Sequence, residues 1–446
     1  MSTEITIGAR LDRLPVAKFH RRVLWLIALG LFFDTFDIWL AGGVVAALVK
    51  SNFATVKSSA LFISVTGLGL GIGALAGGYL GDHYGRKFSY QFNLLIFGLG
   101  SLAAALVPNM TWLIALRFLM AVGLGAEVVI GYGTIAEFVP ARVRGTWLGY
   151  TTLIANFSFA CSALLAVVLV PISWRYMFII VAVGALFLWF SRRVLTESPR
   201  WLESKGLHQK AEEVVSSIEK EVEKEKGPLP PVVPSVKSST KEEQLPWLCI
   251  FKGKLLGRTI TASLTWSAQS IAAGVWVVWL PTLLMRQGID FKHSLGFTAA
   301  IALGGPVGGL IALTVIDRFS RKWLVVITAL LCALFGIIYS MQVTPTLLII
   351  SGAFFMCALF MYNSVNFATY VPEMFPTNVR LRATGFVNVV GRVCLIISPF
   401  WAAYILEKFN STYYVYFTVV VIFIIAAISV IIWGPETRKK TIEEIG

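Results

Sequence analysis

Charge is scarce in this 446-residue chain. Only 14% of its residues are Asp, Glu, Lys or Arg, 57% are hydrophobic, and the mean hydropathy is +0.76. An ordinary soluble domain, about a quarter charged, is excluded. Cysteine and histidine are scarce too, with five and four copies. Cys161, Cys249, Cys332, Cys357 and Cys394 are scattered, no pair has metal-ligand spacing, and the histidines form no cluster. No metal or redox centre is expected, and no nucleophile–base set appears. The chain does not read as an enzyme, and no organic cofactor is expected.

What is abundant is long apolar sequence. Twelve stretches can cross about 30 Å of hydrocarbon. They lie near 23–49, 58–80, 88–107, 112–135, 146–170, 172–194, 259–284, 294–316, 323–342, 346–370, 380–405 and 413–433. Hydrocarbon offers free backbone groups no partner, so such spans must be helices. The fold class is an all-α polytopic membrane protein. The first stretch is too long for a signal-peptide core and is followed by no small-residue cleavage site.

The basic residues orient it. If the basic start "GARLDRLPVAKFHRRV" stays inside, loops on that side hold 30 Lys and Arg and the opposite side holds 6. Both termini are therefore expected in the cytoplasm of a multi-pass cell-membrane protein, such as one of a bacterial inner membrane. The net charge of +14 then reflects orientation, not nucleic-acid binding. One polar segment, 195–258, breaks the pattern: "HQKAEEVVSSIEKEVEKEK" has helical i,i+4 charge pairing, and a Pro-rich linker follows it. The expected organisation is a six-helix bundle at 1–194, a cytoplasmic connector at 195–258 and a second six-helix bundle at 259–446.

The loops repeat. Asp82-x-x-Gly85-Arg86-Lys87 matches Asp317-x-x-Ser320-Arg321-Lys322 at an offset of 235, and Glu137-x-x-Pro140-x-x-Val143-Arg144 matches Glu373-x-x-Pro376-x-x-Val379-Arg380 at 236. "TESPRWLE" and "GPETRKKTIEE" align Glu197 with Glu436, and Arg200 roughly with Arg438. Three motifs in order at nearly one offset indicate a duplicated six-helix unit in parallel orientation. Ser320 in place of Gly85 predicts a less tight second turn. Glycines four apart (Gly69, Gly73 and Gly77; Gly304 and Gly308; Gly305 and Gly309) read as close helix packing.

"GYLGDHYGRK", starting at Gly78, with "RFLMAVGLGAE", "TESPRWL" and "PETRKKTIEEI", resembles the signature loops of the major facilitator superfamily, in its sugar-porter-like branch. "RLDRLPVAKFHRR", "FDTFD", "VVWLPTLL" and "GRVCLIISP" are most similar to aromatic-acid and metabolite:proton symporters. The resemblance implies two parallel six-helix repeats with a substrate site near the midplane. It also implies that Gly78, Asp82, Gly85, Arg86, Lys87, Glu137, Arg144, Glu197 and Arg200, with Asp317, Arg321, Glu373, Arg380, Glu436 and Arg438, form a cytoplasmic gate. The bland alternative is that these charges only mark topology.

Charges inside the spans carry the chemistry, because each costs at least about 2.5–3.5 kcal/mol there. Asp34 and Asp37 lie about 16 and 21 Å along span 1, and Arg117 about 22 Å from the same edge in span 4. Asp37 and Arg117 match in depth. The resemblance makes them a proton-coupling pair; a static ion pair is the alternative. Asp34, one turn away, tunes or positions Asp37. Glu127 either relays a proton or pairs with a loop arginine.

Arg392 lies near the middle of span 11 with no acid at its depth in spans 7–12, which suits an anionic substrate. Trp266, Gln269, Trp276, Tyr362, Asn363, Asn366 and Asn388 are expected around it. If Arg392 instead pairs with Asp34, the site is neutral and suits a sugar. The expected function is proton-coupled uptake of a small organic anion, an aromatic or other monocarboxylate, by a carrier working as a monomer in lipid with the proton as coupling ion. A sugar or polyol porter, an exporter and a non-transporting nutrient receptor are the alternatives.

Overall fold

The computed structural model describes residues 6–232, 247–316, 318–375 and 377–436. Among them the regular structure is all helical. Eleven helices are long and apolar enough to cross a membrane, or twelve if a pair bent by 49° is one span. Spans 1 to 6 are Lys18–Lys50, Val56–Tyr84, Arg86–Leu106, Met110–Phe138, Ala141–Leu169 and Arg175–Ser191. Span 7 is the bent one: Gly253–Ile271, a π-helical stretch Ala272–Val277, then Leu280–Arg286. Span 8 joins Phe291–Ala302 to Gly304–Val315; span 9 is Arg321–Ser340. Span 10 runs through Pro345–Val365, a π-helical Asn366–Tyr370 and Val371–Glu373. Spans 11 and 12 are Thr377–Phe409 and Tyr413–Trp433.

Local chemistry sets the ends. Thr55 and Asn109 cap spans 2 and 4 by accepting from the backbone N–H groups of Ser58 and Trp112, both at 3.1 Å. Span 3 starts at Gly85, whose φ of +92° a side chain would strain and whose Cβ would stand 2.3 Å from Glu197 Oε2. The matching turn before span 9 is built differently. Ser320 has φ −60° and its hydroxyl donates to Glu436, the counterpart of Glu197. The second turn therefore needs no residue of positive φ.

The offset of 235 extends to backbone packing. A Cβ on Gly73 would lie 2.0 Å from the Val122 carbonyl, and one on Gly308, 235 residues later, 2.1 Å from that of Cys357. Span 2 thus lies on span 4, and span 8 on span 10, at a distance that only glycine permits.

Spans 1–6 and 7–12 meet at the end away from the connector. Ser64 of span 2 donates to the Ile396 carbonyl of span 11 at 2.7 Å, and Gly67 packs on Leu395 and Ile396. Gly42 and Gly43 of span 1 face Val278 and Leu295. Trp39, Phe159 and Phe360 close the middle, with ring centroids 5.1 to 6.4 Å apart. Toward the connector the gap widens. Among the described residues nothing lies within 4 Å of where a Cβ on Gly71 or Gly78 would stand.

The connector end carries a clasp. Helix Ile7–Asp12 and connector helix His208–Lys226 pack through Ile7, Leu11, Ala211, Val215, Ile218 and Val222. Arg10 grips Glu219 with both carboxylate oxygens, at 3.1 and 2.5 Å, and reaches Glu212 at 2.5 Å; Arg13 reaches Glu219 at 2.7 Å. Burial works against the Glu219 carboxylate, yet the hydrogen bonds from Arg10 and Arg13 hold it below the ordinary glutamate value. The hydrogen bond from Arg10 does the same for Glu212. A depressed carboxyl contributes stability above its unfolded value, about 4.3, and loses it as pH falls through the folded value. Exchange protection of the Ile7–Asp12 amides, corrected for intrinsic rate, should stay level from about pH 7 to 5 and fall below about pH 4. Level protection down to pH 3 would show that the apolar contacts hold the clasp alone.

Candidate functional site

Asp37 and Arg117 meet. Both are fully buried, and Arg117 Nη1 donates to Asp37 Oδ2 at 2.5 Å. Arg117 Nη2 donates to the Asp37 carbonyl at 2.9 Å and Nε to Thr66 Oγ1 at 2.9 Å. The Phe62 ring lies 5.2 Å from the guanidinium carbon. Matching the depths of two antiparallel helices brought these residues together correctly. The Asp37 Oδ1 atom is enclosed without a partner.

Glu127 pairs with an arginine, one of the two expectations for it, and the partner is Arg192. Arg192 opens a 3₁₀ turn at the end of span 6, is 1% exposed, and its Nη1 donates to Glu127 Oε1. Its Nε donates to the Leu26 carbonyl of span 1 at 3.1 Å, and its guanidinium carbon lies 4.5 Å from the Tyr90 ring centroid. Counted as a loop cation, Arg192 is a membrane-buried one. The available signal was the imbalance of three acids against one arginine in spans 1–6. Asp34 is 1% exposed, accepts no hydrogen bond among the described residues, and has its Oδ2 enclosed.

In the second set, Arg392 is half-buried near the middle of span 11 and makes no hydrogen bond or ion pair among the described residues. It sits one helical turn from Ile396, on the face that meets span 2 nearer the closed end. Pairing with Asp34 is not found. The charged groups acting on Asp34 are Glu127, Arg192 and Asp37. Span 7 abuts span 11 at this level: Trp266 covers Gly391, and Cys394 and Ser267 lie 3.2 Å apart. Trp266 stacks on the exposed Phe367 of span 10 at 4.3 Å. The Gln269 Oε1 atom and both side-chain polar atoms of Asn366 lack partners. Asn363 is half-buried, and Asn388, one turn from Arg392, donates to the Thr384 carbonyl at 3.1 Å.

Two expected site residues are core instead. Trp276 is fully buried among Tyr339, Phe355 and Tyr416. Tyr362 is fully buried, donates to the Thr265 carbonyl at 2.8 Å and packs edge-on against Phe423. Both rings point into the packing of spans 7, 9, 10 and 12.

The loop charges pair within each set of six spans. Arg86 reaches Glu137 at 2.7 Å and Asp82 at 3.1 Å, and Arg321 reaches Glu373 at 2.6 Å. Glu197 accepts from the backbone N–H groups of Arg86, Lys87 and Ser198 at 2.8 to 3.1 Å, capping span 3. Lys87 and Lys322 each donate to a carbonyl at 3.1 Å, of Arg193 and Ile431. Arg144 and Arg200 converge on Asp12, at 3.6 and 2.9 Å. These pairs lie within one set or the other, in a conformation whose two sets are apart at the connector end. Asp317 and Arg438 lie outside the described residues, as does the side chain of Arg380.

The family model described as "Sugar (and other) transporter" matches residues 23–446. The chain is 39% identical to the inner membrane metabolite transport protein YdjE of Escherichia coli K12, over 98% of each chain. It is 27% identical to the niacin transporter NiaP of Acinetobacter baylyi, over 98% of this chain and 99% of that one. Among solved structures, the inward-open conformation of the E. coli xylose transporter XylE superposes with a TM-score of 0.73 at 18% identity, covering 96% of this chain and 99% of that one. Apolar spans, recurring loops, buried acid–arginine pairs and these relatives agree: the chain is a multi-pass transporter of the major facilitator superfamily and belongs to its sugar-porter-like family.

Proposed function

We propose that this transporter takes up a small aromatic monocarboxylate together with a proton, with both termini in the cytoplasm. The observation that carries this reading is Arg392. A half-buried guanidinium without a counter-ion among the described residues is matched by a carboxylate, which it would hold through two parallel hydrogen bonds. The Trp266–Phe367 stack offers an aromatic face, and the unpartnered amides of Gln269 and Asn366, with Asn363 and Asn388, offer hydrogen bonds. The name of NiaP supports the class, since niacin is a pyridine monocarboxylate.

The proton is the coupling ion, and it is bound within the buried cluster of spans 1, 4 and 6, where Asp34, Asp37 and Glu127 face Arg117 and Arg192. Such groups are costly in hydrocarbon unless paired or protonated. A solved proton:xylose symporter shares the fold and supports coupling of this kind. The loop charges gate, exchanging their partners within one set for partners across the gap as the connector end closes. Each chain holds one complete pathway, so a monomer in lipid suffices.

A sugar or polyol porter is the second reading, favoured by the same four amides and by the description of the family model. Purified protein in proteoliposomes separates the two with labelled nicotinate, and with benzoate and D-xylose as competitors. Nicotinate should accumulate when the outside is acid, benzoate should compete and xylose should not. One proton with one monocarboxylate moves no net charge, so a potassium diffusion potential alone should drive nothing. Accumulation driven by the potential, or competition by xylose only, would overturn the anion reading.

A further inference from the structure

Spans 1–6 contain five fully buried charged side chains that face one another: Asp34, Asp37 and Glu127 against Arg117 and Arg192. Three acids share two arginines. Asp37 and Arg117 form a closed pair, with the guanidinium also bonded to the Asp37 carbonyl and Thr66. The remaining arginine serves two acids. Arg192 and Glu127 lie directly against span 1 at Gly30, where a Cβ would stand 1.7 Å from Arg192 Nη2 and 2.6 Å from Glu127 Oε1. Asp34 is four residues on, so it shares that face one turn, about 6 Å, away. Arg192 Nη2 is a buried donor without a partner, and Asp34 Oδ2 a buried acceptor without one. An unpaired carboxylate in this setting is far costlier than a neutral carboxyl.

We propose that Asp34 and Glu127, sharing Arg192, hold the one exchangeable proton of the transport cycle, the proton of the one carboxyl that two arginines leave over among three acids. The assignment rests on the proton-coupled reading above. A proton from water binds a carboxylate oxygen on one side and returns to water on the other; only an O–H bond forms and breaks. Arg192 keeps its own proton throughout. The groups that face the site are Asp37 on the same helix, Glu127 on span 4, Arg192 after span 6 and Tyr90 on span 3, so no further cation balances the count among the described residues. Gly30 is required, because any side chain there would displace the guanidinium.

Counting charges makes an unusual demand on mutants. Removing one acid leaves acids and arginines equal and no carboxyl left over. Removing an acid and its arginine together keeps one over. In proteoliposomes, nicotinate accumulation driven by a one-unit pH difference, up to about tenfold for one proton, is compared with nicotinate counterflow, which needs no net proton step. Asp34→Asn and Glu127→Gln should each bring accumulation down to equal concentrations while counterflow persists. Glu127→Gln/Arg192→Gln should accumulate again. A purely structural cluster would instead lower both activities together with the melting temperature, most in the double variant. The proposal is overturned if Asp34→Asn accumulates like the wild type, or if the double variant inserts and stays as uncoupled as Glu127→Gln. Should the double variant fail to insert, the two single variants decide. A wild type that ignores the pH gradient would sink the coupled-transport reading itself, and this assignment with it.

Discussion

Replacing Arg392 by glutamine should weaken nicotinate binding by about thirtyfold or more without destabilising the protein. Losing one partner of a desolvated ionic contact costs about 2–5 kcal/mol, and 2 kcal/mol is about thirtyfold in Kd. Both halves of the expectation come from one observation. Among the described residues Arg392 has no protein counter-ion, so its removal breaks no ion pair inside the chain. It also relieves the cost of holding a cation there, so the melting temperature of the substrate-free protein should hold or rise. Arg392→Lys keeps the charge but loses the planar fork, so binding should fall between the wild type and Arg392→Gln. Isothermal titration and thermal denaturation on the same preparations test this. Unchanged affinity would remove Arg392 from the substrate site, and a marked fall in melting temperature would make it structural.

The two sites differ in how far residue patterns alone could lead. Asp37 and Arg117 could be matched because depth in a membrane helix is a residue count from a visible end. The gap between them closes to 2.5 Å in the structure. Gly73 and Gly308 were legible as packing positions from their spacing, and their contacts with Val122 and Cys357 recur at the loop offset. Arg192 was hidden by Arg193: two adjacent arginines after an apolar run look like a topology signal. Only the fold shows that the first turns inward to Glu127 while the second lies over Trp189 and Phe190. Trp276 and Tyr362 were misplaced for a related reason. Every face of a membrane helix is apolar, so composition cannot say whether an aromatic ring faces a cavity or another helix. The π-helical stretches at 272–277 and 366–370 add an extra rotation that a 3.6-residue repeat does not anticipate, and both interrupt spans that carry proposed substrate contacts.

Asp37→Asn should abolish proton-driven accumulation and leave counterflow. It frees the fully buried Arg117 from its counter-ion, a loss of about 3–5 kcal/mol if nothing replaces it. Asp34 stands one turn away with an unpartnered oxygen. It can turn to Arg117, which would limit the fall in melting temperature and leave every buried carboxylate paired. No proton site then remains, although Asp37 need not be the carrier. Asp37→Asn/Arg117→Gln separates the two meanings. It removes the closed pair and leaves Asp34 and Glu127 sharing Arg192, so accumulation of nicotinate under a one-unit pH difference should return. If the double variant inserts and exchanges but still fails to accumulate, the proton resides on Asp37, Arg117 is its switch, and the cluster around Arg192 is scaffold. The measurement is accumulation beside counterflow in the same vesicles for the wild type and both variants, and accumulation by the double variant distinguishes the two assignments.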